Sequence, residues 1–106
     1  MLAMASKLVW TPRARADLLR LYVVIGRQDP IAAERYLDRI QQKVQGLQRH
    51  PRSGPRRPDI KPHVRMLVVA PYLILYDTIP DTDEGPLKTI RIVRVIDGRR
   101  DISKMP

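Results

Sequence analysis

The stretch Tyr72–Tyr76, YLILY, is apolar throughout and is bracketed by Pro71 and Pro80. A run this short cannot be an independent helix, and alternation gives it no polar face. It therefore reads as a strand covered on both sides. Two further runs rich in β-branched and aliphatic residues flank it, Val64 to Val69 and Lys88 to Ile96. Ala70-Pro71 separates the first pair of runs, and the Pro, Asp and Gly of residues 80–86 separate the second. Short connections favour antiparallel neighbours, so the second half of the chain predicts a three-stranded antiparallel meander.

Whatever covers this sheet must come from upstream. Lys7 to Trp10 is a short apolar run suited to an added edge strand. Thr11-Pro12 then carries a helix-start signal: a hydroxyl that can accept a backbone N–H, followed by a proline whose missing donor is not needed there. Leu18, Leu21, Tyr22 and Ile25 follow at helical spacing, with a stop expected near Gly26. Asp29-Pro30 repeats the signal, and Ala33, Tyr36, Leu37, Ile40, Val44 and Leu47 carry a second helix toward His50-Pro51. Two amphipathic helices with so short a connection make an αα-hairpin, and their apolar stripes need a sheet to cover. The fold class expected is α+β: an N-terminal strand, then an antiparallel αα-hairpin packed on one face of an antiparallel three- to four-stranded sheet, in the order β-α-α-β-β-β. One domain spans residues 1–106, with 1–6 a loose extension and 51–63 a basic Pro-rich loop.

Lys and Arg number 20 against 11 Asp and Glu, a formal net charge of +9. Such a balance calls for an anionic partner: nucleic acid, a ribosome or an acidic protein segment. The segment Arg49–Arg65 concentrates it, with six Arg or Lys, four Pro and a single acid. It reads either as a solubilising loop held by contacts such as Ile60 or as an anion-binding rim. Arg35, Arg39 and Lys43 recur every fourth residue on the second helix, as a solvated face or a track for an acidic partner. In the last strand Ile90, Ile92 and Ile96 are expected on one face, interrupted by Arg94. That arginine reads either as the floor of a groove on the sheet face away from the helices, or as a side chain that snorkels from the sheet or pairs with Asp77 or Asp97. Gly98 then permits a positive φ in the turn after the strand.

The inventory for catalysis is thin. Cysteine is absent, so disulfide and thiolate chemistry are excluded, and a cytoplasmic location is expected. His50 and His63 flank loop prolines with no partner at metal-ligand spacing, so no metal site and no cofactor are expected. No glycine-rich phosphate loop, Ser–His pair or carboxylate pair is present. No apolar run approaches the length of a membrane span, and no membrane partner is expected. Arg, Lys and Tyr remain; they can stabilise a phosphorane-like transition state and activate a ribose 2′-OH, so RNA cleavage is the one reaction the composition permits.

Strand, helical hairpin, basic loop and meander, in this order, resemble the ParE/RelE superfamily of type II toxins from bacterial toxin–antitoxin modules. The carriers are VWTPRARADLLRLY at Val9–Tyr22, DPIAAERYLDRI at Asp29–Ile40, HPRSGPRRP at His50–Pro58, VAPYLILYD at Val69–Asp77 and IRIVRVIDGRRD at Ile90–Asp101. The PRSG loop and the PYLILY strand resemble the ParE branch, from which the chain departs at Asp97, where that branch usually has histidine, and in a longer 81–87 loop. The resemblance implies inhibition of DNA gyrase through its A subunit. It implies neutralisation by a cognate ParD-like antitoxin with an acidic C-terminal segment and a DNA-binding N-terminal domain, operator DNA being reached only through that complex. Target contacts are expected at Arg94, Arg99 and Arg100, and the basic charge that needs an acidic partner places antitoxin contacts at Arg35, Arg39, Lys43 and Arg94. The alternatives are a ribosome-dependent mRNA endonuclease like RelE, using Lys61, Arg65, Arg99 and Arg100, and a non-toxic basic nucleic-acid-binding module. Against the nuclease, the strand arginine of RelE-like members falls here near Val68 or Val69, and neither Tyr nor His follows Asp101.

Overall fold

The computed structural model describes residues 6–100; residues 1–5 of the expected extension, and Asp101 with the segment after it, lie outside the described residues. The elements are β1 (Lys7–Trp10), α1 (Pro12–Gln28), α2 (Pro30–Gln45), a 3-10 turn (Gly46–Gln48), β2 (Arg65–Val69), β3 (Tyr72–Ile79) and β4 (Thr89–Asp97). The fold is α+β, with the expected order of elements.

Both helix starts follow the chemistry read from the sequence. The Thr11 hydroxyl accepts the Ala14 N–H at 3.1 Å, and one Asp29 carboxylate oxygen accepts the N–H groups of Ile31 and Ala32, each at 3.1 Å. α1 does not stop at Gly26. It runs through to Gln28, because the real break is Asp29-Pro30: Asp29 closes α1 through its own N–H to Ile25 O and opens α2 in the same residue. α2 ends at Gln45 and hands over to the 3-10 turn, short of His50-Pro51.

The sheet has the order β1-β4-β3-β2 and is mixed, not wholly antiparallel. β2, β3 and β4 form the antiparallel meander, but β1 lies parallel to β4, Lys7 opposite Thr89 and Trp10 opposite Ile92. The direction follows from α1. The Thr11 N–H donates to Ile92 O at 3.0 Å, so the helix starts where β1 ends and folds back over the sheet beside β4. The crossover that a parallel pair requires is the whole hairpin together with β2 and β3. Ser6 is fastened to this edge: its hydroxyl donates to Leu87 O at 3.0 Å, and its carbonyl accepts from Gln48 Nε2 at 3.2 Å.

A bulge changes the reading of β4. Leu75 faces Arg94 but Tyr76 faces Ile92, which leaves Val93 as the extra residue. Alternation inverts beyond it. Ile90 and Ile92 pack under the helices, joined after the bulge by Val95, whereas Ile96 turns to the far face with Val64 and Leu75. The expectation that Ile96 shares a face with Ile90 and Ile92 fails because strict period two does not survive the inserted residue.

The helix phase is as read. Ile40 and Val44 are buried with Leu47 against Leu67, Ile74 and Tyr76, while Leu18, Leu21 and Tyr36 are partly buried against the same core. Ile25 and Leu37 are only half-buried, and Tyr22 is exposed at the rim of the hairpin. Ile40→Ala should therefore cost about 2–5 kcal/mol, and Leu37→Ala distinctly less. Urea unfolding of both variants checks this; equal losses would mean that Leu37 is as deeply packed as Ile40.

Candidate binding surfaces

Among the described residues a clasp of charges and several concave surfaces are arranged around this sheet. The clasp joins the basic loop to the acidic loop between β3 and β4. Arg56 donates to Asp81 at 2.8 Å and to Asp83 at 2.9 Å, and Arg52 donates to Thr82 O at 2.9 Å and Gly85 O at 3.0 Å. His63, whose φ of 70° puts it in the left-handed region ahead of β2, adds its imidazole to Asp81. The His63 imidazole, and after it Arg56, hold the Asp81 carboxyl below its ordinary range.

Arg65 is the buried member of the clasp. Its guanidinium donates to Gly54 O at 2.9 Å and reaches Asp83 at 3.2 Å. Tyr76, fully buried, locks the same loop from the core: its hydroxyl accepts the Gly54 N–H at 2.9 Å and donates to Pro51 O at 2.9 Å. A Cβ on Gly54 would stand 2.6 Å from Met66 O, so only glycine lets the PRSG turn come this close to β2. Arg57 turns instead to Asp59 at 2.8 Å. Most of the basic loop's arginines thus face acids of this chain.

On the far face of the sheet lies a groove of about 360 Å3. Val64, Leu75, Val93 and Ile96 line it with Ile60 and Pro62, and Arg13, Lys61, Asp77 and Arg94 stand along it. Arg94 thus sits in the groove foreseen from the sequence. Its partner is neither Asp77 nor Asp97 but Asp17 of α1, at 2.7 Å from Nε and 3.2 Å from a terminal nitrogen. Asp77 pairs with Arg91 and Asp97 with Arg99, each at 2.7 Å. Proximity in sequence suggested the wrong acids; Asp17 comes close because β1 sends α1 back across the end of β4.

The second surface is a shallow apolar channel of about 350 Å3 on the hairpin, lined by Trp10, Leu18, Leu19, Tyr22 and Leu37. Leu19 at 64% exposure and Ile31 at 67% are large side chains with no core role. The third is a polar trough between α2 and the β2 edge, lined by Arg39, Gln42, Lys43, Val68 and Val69.

The structure gathers the sequence-derived residues in separate groups. Lys61 and Arg94 share the far-face groove, and Arg39 and Lys43 share the trough, with Arg39 also over the Tyr36 ring at 5.7 Å. Arg35 is exposed on α2 outside the lining of both. Arg65 faces Gly54 and Asp83, while Arg99 and Arg100 sit in the exposed turn after β4, where Arg99 grips Asp97. In that turn Gly98 does not adopt the positive φ expected of it. Its N–H donates to Pro71 O at 2.8 Å, and a Cβ would stand 2.9 Å from that oxygen, so close approach is what calls for glycine. Among the described residues no cluster of three or more His, Cys, Asp or Glu could hold a metal ion, and no helix is long and apolar enough to cross a membrane.

A strand, a helical hairpin over a meander, and a PRSG turn fastened to the core through Tyr76 agree with the family comparison. The family model described as the ParE toxin of the type II toxin–antitoxin system parDE matches residues 8–102. The chain belongs to the ParE toxin family. Its solved relatives include a chain from the chromosomal ParDE TA system of P. aeruginosa, 28% identical, with a TM-score of 0.69 over 88% of this chain and 96% of that one. No curated protein sequence matches this chain significantly. This ParE-family chain is therefore a toxin component with an antitoxin as its partner.

Two predictions arise from these contacts. Tyr76→Phe keeps the ring but strands the buried Gly54 N–H and should cost about 1–3 kcal/mol; an unchanged denaturation midpoint would mean that water replaces the hydroxyl. The second concerns Asp97, whose carboxyl is held at about 2, against an ordinary 3.8, chiefly by the Arg99 guanidinium and then by the Arg99 backbone N–H. A carboxyl with a depressed folded pKa stabilises the fold above its unfolded value and loses that contribution as pH falls through the folded one. Asp97→Asn should thus be less stable than the parent at pH 7 by up to about 1 kcal/mol, the pair being solvent-screened. The gap should close between about pH 4 and pH 2, as read from urea midpoints; a gap independent of pH would assign the loss to packing.

Proposed function

We propose that this toxin acts by contact, binding the A subunit of DNA gyrase in the cytoplasm and inhibiting it, and that a ParD-like antitoxin with an acidic segment neutralises it. Operator DNA is reached through the antitoxin complex. The observation that supports contact over cleavage is the disposition of the candidate nuclease residues. Arg65 is buried and bonded to Gly54 and Asp83, Arg99 is bonded to Asp97, and Lys61 lies in the far-face groove, away from Arg65's buried contacts. General acid–base catalysis on a ribose needs such groups to converge on one proton in flight. Val68 and Val69 offer no charge at the strand where RelE-like members carry an arginine.

A contact inhibitor needs instead a shaped surface with an apolar centre and a charged rim. The far-face groove meets this description: an apolar floor from Val64, Leu75, Val93 and Ile96, rimmed by Arg13, Lys61 and Arg94. It is the proposed target surface, with Arg99 and Arg100 near the end of β4. The expected outcome of expression without antitoxin is arrest of DNA replication and a DNA-damage response while translation initially continues. Purified protein should inhibit supercoiling by gyrase, and Lys61→Glu should weaken that inhibition at least fivefold without lowering the melting temperature. Codon-positioned cuts in ribosome-bound mRNA, with supercoiling untouched, would instead assign a RelE-like nuclease.

A further inference from the structure

β2 forms one edge of the sheet, and that edge is covered over half its length only. The basic loop closes the first half: Arg57 N–H donates to Val64 O at 2.8 Å, and Met66 N–H donates to Pro55 O at 3.1 Å. Those two bonds fix the phase of the strand. The backbone groups of Val64 and Met66 point outward, and those of Arg65, Leu67 and Val69 point to Tyr76, Ile74 and Tyr72 on β3. Alternation carries the outward direction on to Val68, past the end of the covering loop. Among the described residues nothing from a loop or side chain bonds its N–H or C=O, and the residue is 48% exposed. Natural sheets blunt such edges with proline, lysine or a covering segment; Leu67, Val68 and Val69 carry none of these.

The flank of this open half is chemically distinctive. The trough of about 320 Å3 beside it has Arg39, Gln42 and Lys43 of α2 for its other wall. On the opposite side of the strand, Met66 packs into the far-face cluster, and Val68 shares its parity and hence its face. A strand laid along this edge would present alternate side chains to the two walls, one cationic and one apolar.

We infer that the Met66–Val69 edge of β2 receives an extended protein segment by strand addition, with acidic residues facing Arg39 and Lys43 alternating with apolar residues facing Met66 and Val68. Nucleic acid does not fit, because half the offered backbone groups are carbonyl oxygens that repel phosphate. A second copy of this chain fits poorly: pairing two such edges about a two-fold axis would bring Arg39 and Lys43 toward their own counterparts, and like charges at an interface oppose association. The segment that fits is the acidic segment of the antitoxin, and in that respect the inference rests on the function proposed above.

The test uses the full chain and two synthetic hexapeptides, one alternating glutamate and valine and one alternating lysine and valine. The acidic peptide should shift the amide signals of Met66 and Val68 and slow exchange of the Val68 amide proton at least tenfold, while the basic peptide does neither. Val68→Pro removes only an outward N–H and should weaken binding at least tenfold at an unchanged melting temperature. Arg39→Glu with Lys43→Glu, both on the exposed face of α2, should reverse the choice of peptide and decides the question alone if the proline variant fails to fold. Shifts confined to the hairpin channel or the far-face groove would overturn the inference, as would concentration-dependent protection of Val68 without peptide, which identifies a second copy. The antitoxin separates the two readings. Equal affinity for parent and Val68→Pro would overturn strand addition and leave the antitoxin partnership standing. Failure to bind the parent, with peptide binding intact, would overturn that partnership and the source named here.

Discussion

β4 is nine residues long and β1 is four, so β1 covers β4 only as far as Ile92. The remaining edge would carry an open N–H and an arginine in a half-buried setting, both costly without partners. One carboxylate meets both needs. Asp17 accepts the Val95 N–H at 2.9 Å and the Arg94 guanidinium at 2.7 Å, while the Thr11 hydroxyl donates to Val93 O at 3.3 Å. Charge-assisted bonds of this kind fix direction as well as adding energy. They set the angle at which α1 leaves the sheet; α2 follows through the turn at Asp29, and the core under both helices follows from that. The bulge at Val93 falls where pairing with β1 ends, and it releases Ile96 to the far face to floor the groove there.

The same economy governs the basic surface. The formal charge of +9 suggests an indiscriminate polycation, yet Arg56, Arg57, Arg65, Arg91, Arg94 and Arg99 each face an acid of this chain. What reaches a partner is the residue of that pairing. Arg39 and Lys43 line the trough, and Lys61 and Arg13 line the far-face groove. Each of these four cationic groups therefore borders a particular shape, which gives positional information that net charge alone lacks. Exposed ion pairs contribute only about 0–1 kcal/mol each. Affinity for a partner must then draw on exposed apolar side chains such as Leu19, Val23, Ile31 and Val68, on the apolar groove floor and on open backbone groups, with charge setting encounter rate and register.

How much of this the sequence displayed depended on range. Helix starts at Thr11 and Asp29, the phase of Ile40 and Val44, and the strand at YLILY rest on neighbours within a few residues, and all were legible. The mixed sheet was not, because the direction of β1 is decided by where α1 must land, a contact between Thr11 and Ile92. Pairing of Arg94 with Asp17 spans most of the chain, and no local pattern marks it, although an isolated acid on an otherwise basic helix was a usable hint. The clasp of Arg52, Arg56 and Arg65 on the 81–85 loop was hidden for a similar reason: a basic loop and an acidic loop were visible, but their meeting depends on the β2–β3 register. Gly98 shows a subtler limit, since sequence cannot tell a glycine required for its φ from one required for its missing Cβ.

The layout of the two sheet edges bears on how one partner could silence this surface. The hairpin channel and the far-face groove lie on opposite sides of a single sheet, so a compact contact on one leaves the other open. At the β4 side a crossing chain meets β1, Thr11 and Asp17, which already bond the backbone groups there. At the β2 side it meets the closed loop as far as Met66 and then the open groups of Val68. A segment passing from the helices to the groove across β2 thus finds open backbone partners at Val68, beside Arg39 and Lys43. Backbone bonds hold any sequence, whereas the cationic wall and the apolar wall accept only a strand of alternating character. Specificity in such a crossing would come from side chains of opposite parity, and the backbone ladder would hold them in register.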